Sequence, residues 1–232
     1  MSFSLSSARE HLLEILRSSG IRDELVLGAI ARVPREEFVP HSFRHRAYED
    51  NALPIDCSQT ISQPFTVAIM SQLLEARPGM SVLEIGTGSG YQAAVLWQMG
   101  LRVFTVERHA GLLREASGTL ARIGCNVATH TGDGTLGWST YAPYDRIIVT
   151  AGSPTIPSPL LKQLAPDGRL VIPVGARESQ RMNVVIRQGE AAEYDVFDHG
   201  DFKFVPLIGR NGWGNESVVE DRPSWNATRP FR

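Results

Sequence analysis

Val82-Leu83-Glu84-Ile85-Gly86-Thr87-Gly88-Ser89-Gly90-Tyr91 runs from a short β-rich stretch, through three glycines, into a stretch that reads as a helix. Glycine allows the tight turn, and the close approach of a ligand to bare backbone, that follow the first strand of a parallel α/β sheet. The helix behind such a loop presents unpaired N–H groups. An adenosine-type ligand at the carboxyl ends of the strands is the expected consequence.

On both sides of this loop the pattern repeats. Strands are expected at Ser81–Ile85, Leu101–Val106, Asn126–Thr129, Tyr144–Thr150 and Arg169–Val174, with helices at Tyr91–Met99, Ala110–Ile123 and Pro157–Leu164. The strands are nearly continuous apolar runs, which argues for a parallel sheet covered on both faces. Upstream, Leu12, Leu13, Ile15 and Leu16 sit near helical spacing, and a second helix runs from Asp23 to Arg32 until Pro34 ends it. Glu37 to Ser62 reads as irregular, and Pro64 opens a helix reaching about Glu75. After Arg181, strands are expected at Met182–Ile186, Tyr194–Phe197 and Phe202–Val205, forming an antiparallel edge. The fold class is therefore α/β, a doubly wound, mostly parallel, Rossmann-like sheet with N-terminal helices. Residues 1–214 are expected to form one domain. Within it 1–64 are a substrate-side region, 65–175 the cofactor-binding core and 176–214 the C-terminal strands; 215–232 read as a loose tail.

The glycine spacing separates two ligand classes. A dinucleotide fingerprint needs GxGxxG. Here the spacing is GxGxG, and Tyr91 stands where the third dinucleotide glycine would be. Glu84, in the approach to the loop, would repel a pyrophosphate and attract the ammonium of S-adenosylmethionine. Glu107 closes the next strand, where a carboxylate accepts both ribose hydroxyls. Gly132-Asp133-Gly134 follows the third strand, where an acid can accept the adenine amino group. Each piece alone is also what a turn or a solvated acid looks like. Three in order at successive strand ends point to S-adenosylmethionine, against a NAD-dependent oxidoreductase.

Composition narrows the partners. Hydrophobic residues make up 42%, enough for a core, and a net charge of -2 provides no basic field for nucleic acid. Cys57 and Cys125 form no CxxC pair and read as free thiols. His41 and His45 lack a third ligand, so no metal is expected. Arg44-His45-Arg46 reads as a solvated run, and Trp97, Trp138, Trp213 and Trp225 as core or rim residues. No secretory signal or membrane-length apolar run is found, so a cytoplasmic protein without membrane association is expected. No long amphipathic seam is left over, which favours a monomer.

Further stretches carry a resemblance: Val33-Pro34-Arg35-Glu36-Glu37-Phe38-Val39-Pro40, Gln59-Thr60-Ile61-Ser62-Gln63-Pro64, Ala142-Pro143-Tyr144-Asp145, Leu170-Val171-Ile172-Pro173-Val174-Gly175 and Phe204-Val205-Pro206-Leu207. With the glycine loop and Gly132-Asp133-Gly134, the sequence from about Val33 to Val205 resembles the protein-L-isoaspartate O-methyltransferases. The Gln-Thr-Ile-Ser element is its most specific part, since general methyltransferases lack it. Two departures stand out. Ser58 takes a place where many relatives carry glycine, and Ile208 one where some carry threonine.

The resemblance implies a methyltransferase sheet with added N-terminal helices and a modified C-terminal arrangement. It implies transfer of a methyl group from S-adenosylmethionine to the free carboxylate of isoaspartyl residues in damaged proteins and peptides. The ester then closes to a succinimide, which opens partly to normal aspartate. Ser62 is the implied active-site residue, orienting the acceptor carboxylate rather than attacking it. Thr60, Ile61, Ser62, Glu84, Gly86, Thr87, Gly88, Gly90, Glu107, Asp133 and Gly134 would hold the donor. Ser62, Val205, Pro206 and Leu207 would face the acceptor. Serine is also favoured as a helix cap, so Ser62 can be read as a cap for the helix at Pro64. Two other functions stay open: a carboxyl methyltransferase dedicated to one peptide, and a non-catalytic module that only binds the cofactor.

Overall fold

A computed structural model describes residues 5–57, 59–190 and 193–214. Ser58 and the tail from 215, with Trp225, lie outside the described residues. The chain begins with α1 (Leu5–Ser18) and α2 (Glu24–Arg32). Asp23 caps α2 by accepting from Leu25 N and Val26 N, an arrangement that stabilises a helix by about 1 kcal/mol. The segment that reads as irregular contains two 3-10 turns, Arg35–Phe38 and His41–Arg46. It ends in a short antiparallel ribbon of β1 (Leu53–Pro54) and β2 (Thr60–Ile61). Such short devices carry no periodicity, which is why the sequence does not announce them. Pro64 then sits in the first turn of α3 (Pro64–Leu73).

The core follows as β3 (Ser81–Ile85), α4 (Tyr91–Gln98), β4 (Arg102–Glu107), α5 (Ala110–Arg122), β5 (Ala128–Thr131), β6 (Tyr144–Val149), α6 (Ser158–Lys162), β7 (Leu164–Gly175), β8 (Gln180–Arg187) and β9 (Tyr194–Phe202). These strands form a seven-stranded sheet of order β5-β4-β3-β6-β7-β8-β9. Five strands run parallel, and β8 and β9 return antiparallel. The order reverses at β3, with β4 on one side and β6 on the other, which creates a crevice at the carboxyl ends of these strands.

Alternation along the strands fills both faces. Val82, Ile148, Val171 and Val184 pack with the N-terminal helices and α4, whereas Leu83, Ile147, Leu170 and Val185 pack with Leu160 of α6. Every residue of β3 is buried, and each large apolar side chain so buried contributes about 1.5–3 kcal/mol relative to exposure.

Three sequence expectations need correction. The third strand of the core is β5, two residues later than Asn126–Thr129, because its register with β4 pairs Phe104 with Ala128. The fifth begins at Leu164, which pairs with Tyr144 ahead of a bulge; Pro166-Asp167-Gly168, a sequence typical of turns, hides that start. The strand expected at Tyr194–Phe197 is longer, β9, and runs through Gly200 at φ +95° to Phe202, whereas the strand expected at Phe202–Val205 does not form: residues 203–205 lie beyond the end of β9.

Candidate active site

The glycine loop lies where the crevice opens. Gly86, at φ +97°, donates its N–H to Val106 O at 2.8 Å, and a Cβ there would strike the Thr150 hydroxyl. Thr150 in turn donates from Oγ1 to Gly86 O at 2.7 Å. Gly88, at φ +53°, differs: a Cβ there would enter open space. Gly90 serves helix packing, since a Cβ would press on Ala116 and Leu120 of α5 at 3.4 Å.

A cleft of about 950 Å³, counting its open mouth, extends from this loop. Thr60, Ile61 and Ser62 line it, together with Gly86, Thr87 and Gly88 of the loop and Val205, Pro206 and Leu207 from beyond β9. Glu107 and Gly134 complete it at the ends of β4 and β5. Glu107 accepts from Gly88 N at 3.1 Å and from His109 N at 3.0 Å. Two of the roughly four acceptor positions of its carboxylate are thus used, leaving capacity for a diol.

Ser62 lines the cleft and its hydroxyl has no partner among the described residues. The capping role is filled otherwise. Gln63 is the N-cap of α3 but its side chain does not cap the helix; Asp50 accepts from Phe65 N at 2.8 Å and from Gln63 Nε2 at 2.9 Å.

Three residues singled out from sequence do not lie on the cleft wall: Gly90, Glu84 and Asp133. Glu84 is fully buried beneath the loop, accepting from Thr105 Oγ1 at 2.5 Å, and its Oε1 has no partner among the described residues. Burial pushes its pKa up to about 8; the Thr105 bond works against this rise and the nearby Glu107 charge adds to it. Asp133 caps the 3-10 turn Gly134–Leu136, accepting from Thr135 N at 2.9 Å and from Arg210 N at 2.7 Å. Burial raises its pKa, but these bonds outweigh burial and hold it below the ordinary carboxylate value. It lines an adjoining hollow with Arg108, Ile208 and Trp213.

The residues after β9 form a strap across the site. Gly152 N donates to Val205 O and Leu207 N to Gly152 O, both at 2.8 Å, and Trp213 Nε1 reaches Gly152 O at 3.1 Å. Asp133 thus clasps the strap at Arg210. Sequence reading missed Thr150, Arg108 and His109, which also line the cleft. Their signal was positional: each directly follows a strand flanking the point where strand order reverses.

The arrangement fits S-adenosylmethionine. A cradle open at Gly88 and an uncommitted carboxylate edge at Glu107 match a nucleoside carrying a cation. Among the described residues no group of three or more His, Cys, Asp or Glu side chains could hold a metal ion.

The family described as protein-L-isoaspartate(D-aspartate) O-methyltransferase matches residues 7–212. The protein-L-isoaspartate O-methyltransferase of Salinibacter ruber is 52% identical over 215 residues, covering 89% of this chain and 94% of that one. That of Chlorobaculum tepidum is 49% identical, covering 92% and 100%. A solved structure named protein-L-isoaspartate O-methyltransferase superposes with a TM-score of 0.78 at 30% identity, over 88% of this chain and 67% of that one. A Plasmodium falciparum structure in complex with S-adenosyl-L-homocysteine has the same fold, with a TM-score of 0.74 at 23% identity, over 86% and 98%.

Proposed function

The chain belongs to the protein-L-isoaspartate(D-aspartate) O-methyltransferase family, and on that premise we propose how its own residues carry the reaction. It is an S-adenosylmethionine-dependent carboxyl O-methyltransferase that esterifies isoaspartyl residues, opening their repair through a succinimide. When bound, S-adenosylmethionine supplies the methyl group and a sulfonium leaving group.

Everything else is placement. An α-carboxyl of the isoaspartyl kind has a pKa of roughly 3.3–3.7, so it arrives ionised and needs no base. Ser62 donates its free hydroxyl to one carboxylate oxygen and turns the other toward the methyl carbon. Val205, Pro206 and Leu207 wall the acceptor side and exclude water, which strengthens that hydrogen bond. Glu107 would accept from the ribose hydroxyls, and the glycine loop would hold the methionine portion. Thr60 and Ile61 border the donor beside Ser62, and Gly134 borders it at the end of β5. Glu84, buried under the loop, would support it from below, and Asp133, off the cleft wall, would act by holding the strap at Arg210. Gly90 contributes by setting α4 against α5.

The observation that carries this reading is Ser62 on the cleft wall, its hydroxyl without a partner among the described residues while Asp50 caps α3. Methyl-ester formation on an isoaspartyl peptide, and not on its aspartyl twin, tests it. The isoaspartyl acceptor also supports general repair over a role tied to one peptide, and over a module without catalysis. We further place the enzyme in the cytoplasm as a monomer, with residues up to 214 as one catalytic domain and no nucleic-acid or membrane partner. No helix among the described residues is long and apolar enough to cross a membrane.

A further inference from the structure

Arg35 is fully buried, yet no carboxylate lies within ion-pair distance of it among the described residues. A buried charge costs several kcal/mol, and an apolar side chain of similar volume stabilises a core as well or better. Stability alone therefore does not explain an arginine here. Its contacts are specific. Nε donates to Ala47 O at 2.8 Å and Nη2 to Ser62 O at 2.8 Å. The guanidinium stands over the Tyr91 ring, 4.6 Å from its centroid. Phe38, from the same 3-10 turn, meets Tyr91 edge-on at 5.5 Å.

These contacts join two halves of the site. The β1–β2 ribbon ends at Ile61, so the Ser62 carbonyl has no ladder partner and turns to Arg35 instead. Tyr91 directly follows the last glycine of the cofactor loop, begins α4 and lines the cleft. It is the residue that departs from the dinucleotide pattern. A third glycine would leave nothing for the guanidinium to stack on.

We propose that Arg35 is a positioning residue: it holds the backbone of Ser62 against the Tyr91 ring, so that the cofactor loop and the acceptor segment are aligned as one unit. The inference rests on the methyltransferase reading for its kinetic consequence, but the coupling itself is a property of binding. Arg35→Lys keeps a cation and loses the planar fork that reaches Ala47 and Ser62 together.

The test compares wild type and Arg35→Lys by hydrogen exchange of the amides at 59–63, with and without S-adenosylhomocysteine, alongside turnover of an isoaspartyl peptide. Wild type gains protection in this segment when the ligand binds, and the variant does not. In the variant kcat falls about 100-fold, the scale of a misplaced acceptor, while ligand affinity changes by less than about threefold. A folded variant with wild-type protection and kcat within about threefold of wild type overturns the proposal. Equal losses in ligand affinity and in kcat overturn it too, because they signify general damage. If Arg35→Lys does not fold, Arg35→Gln, which keeps one donor and loses the fork and its stacking on Tyr91, decides by the same comparison. Wild type that methylates no isoaspartyl peptide removes the substrate reading, and the exchange comparison still decides the role of Arg35.

Discussion

Replacing Ser62 with alanine removes one hydroxyl and leaves α3 its cap at Asp50. A hydrogen bond to a charged acceptor is worth about 1.5–3 kcal/mol, so kcat on an isoaspartyl peptide should fall about 10- to 100-fold while affinity for S-adenosylhomocysteine stays within about threefold. Steady-state kinetics with calorimetry checks this, and turnover equal to wild type removes Ser62 from the mechanism. Glu84 gives a pH signature. Its folded pKa of about 8 lies above the ordinary glutamate value, so the folded state binds its proton more tightly than the unfolded chain does. The stability this contributes is complete below the unfolded value and is lost as pH rises toward the folded one. Melting temperatures from pH 5 to pH 9 should therefore fall more steeply for wild type than for Glu84→Gln, both without ligand. Parallel profiles would contradict a protonated Glu84 at neutral pH. Sequence located this acid but not its depth. Only the pairing of β3 between β4 and β6 reveals that its carboxyl lies under the loop.

At the scale of elements, the strand–loop–helix unit was the most legible part of the chain. Ser81–Ile85 and the start of α4 at Tyr91 agree with the sequence reading because local pattern and tertiary demand coincide there. The loop can be tested as a cradle with two valines. Gly88→Val and Gly79→Val both force a branched side chain into left-handed backbone with open space beyond it. Each should lower Tm by a few degrees, about 2–8 °C, from a strain of about 1–2 kcal/mol. Only Gly88→Val should weaken S-adenosylhomocysteine binding, by more than about tenfold, because only that side chain enters the cleft. Equal affinities in calorimetry would place the ligand elsewhere. The strap after β9 was less legible. Val205, Pro206 and Leu207 are singled out by resemblance, but the anchoring of Val205 and Leu207 to Gly152 depends on backbone pairings that leave no mark on composition.

Across the whole molecule, alternating apolar strands and helices made the parallel core readable. The strand order, which creates the crevice at β3, follows from chain crossing rules more than from any one segment. The antiparallel end was read as three short strands where two, β8 and β9, exist, because side-chain alternation continues past Phe202 after pairing has stopped. The N-terminal third is legible in its helices and not in the 3-10 turn that carries Arg35 or the ribbon that leads to Ser62 on the cleft wall. The preference for an isoaspartyl acceptor is tested most directly by incubating the purified chain with methyl-labelled S-adenosylmethionine and two peptides that differ only in an isoaspartyl or an aspartyl linkage, then measuring volatile methanol released by base. Label on the isoaspartyl peptide and background on the aspartyl one is the expected result. Equal label on both, or none on either, would contradict the account.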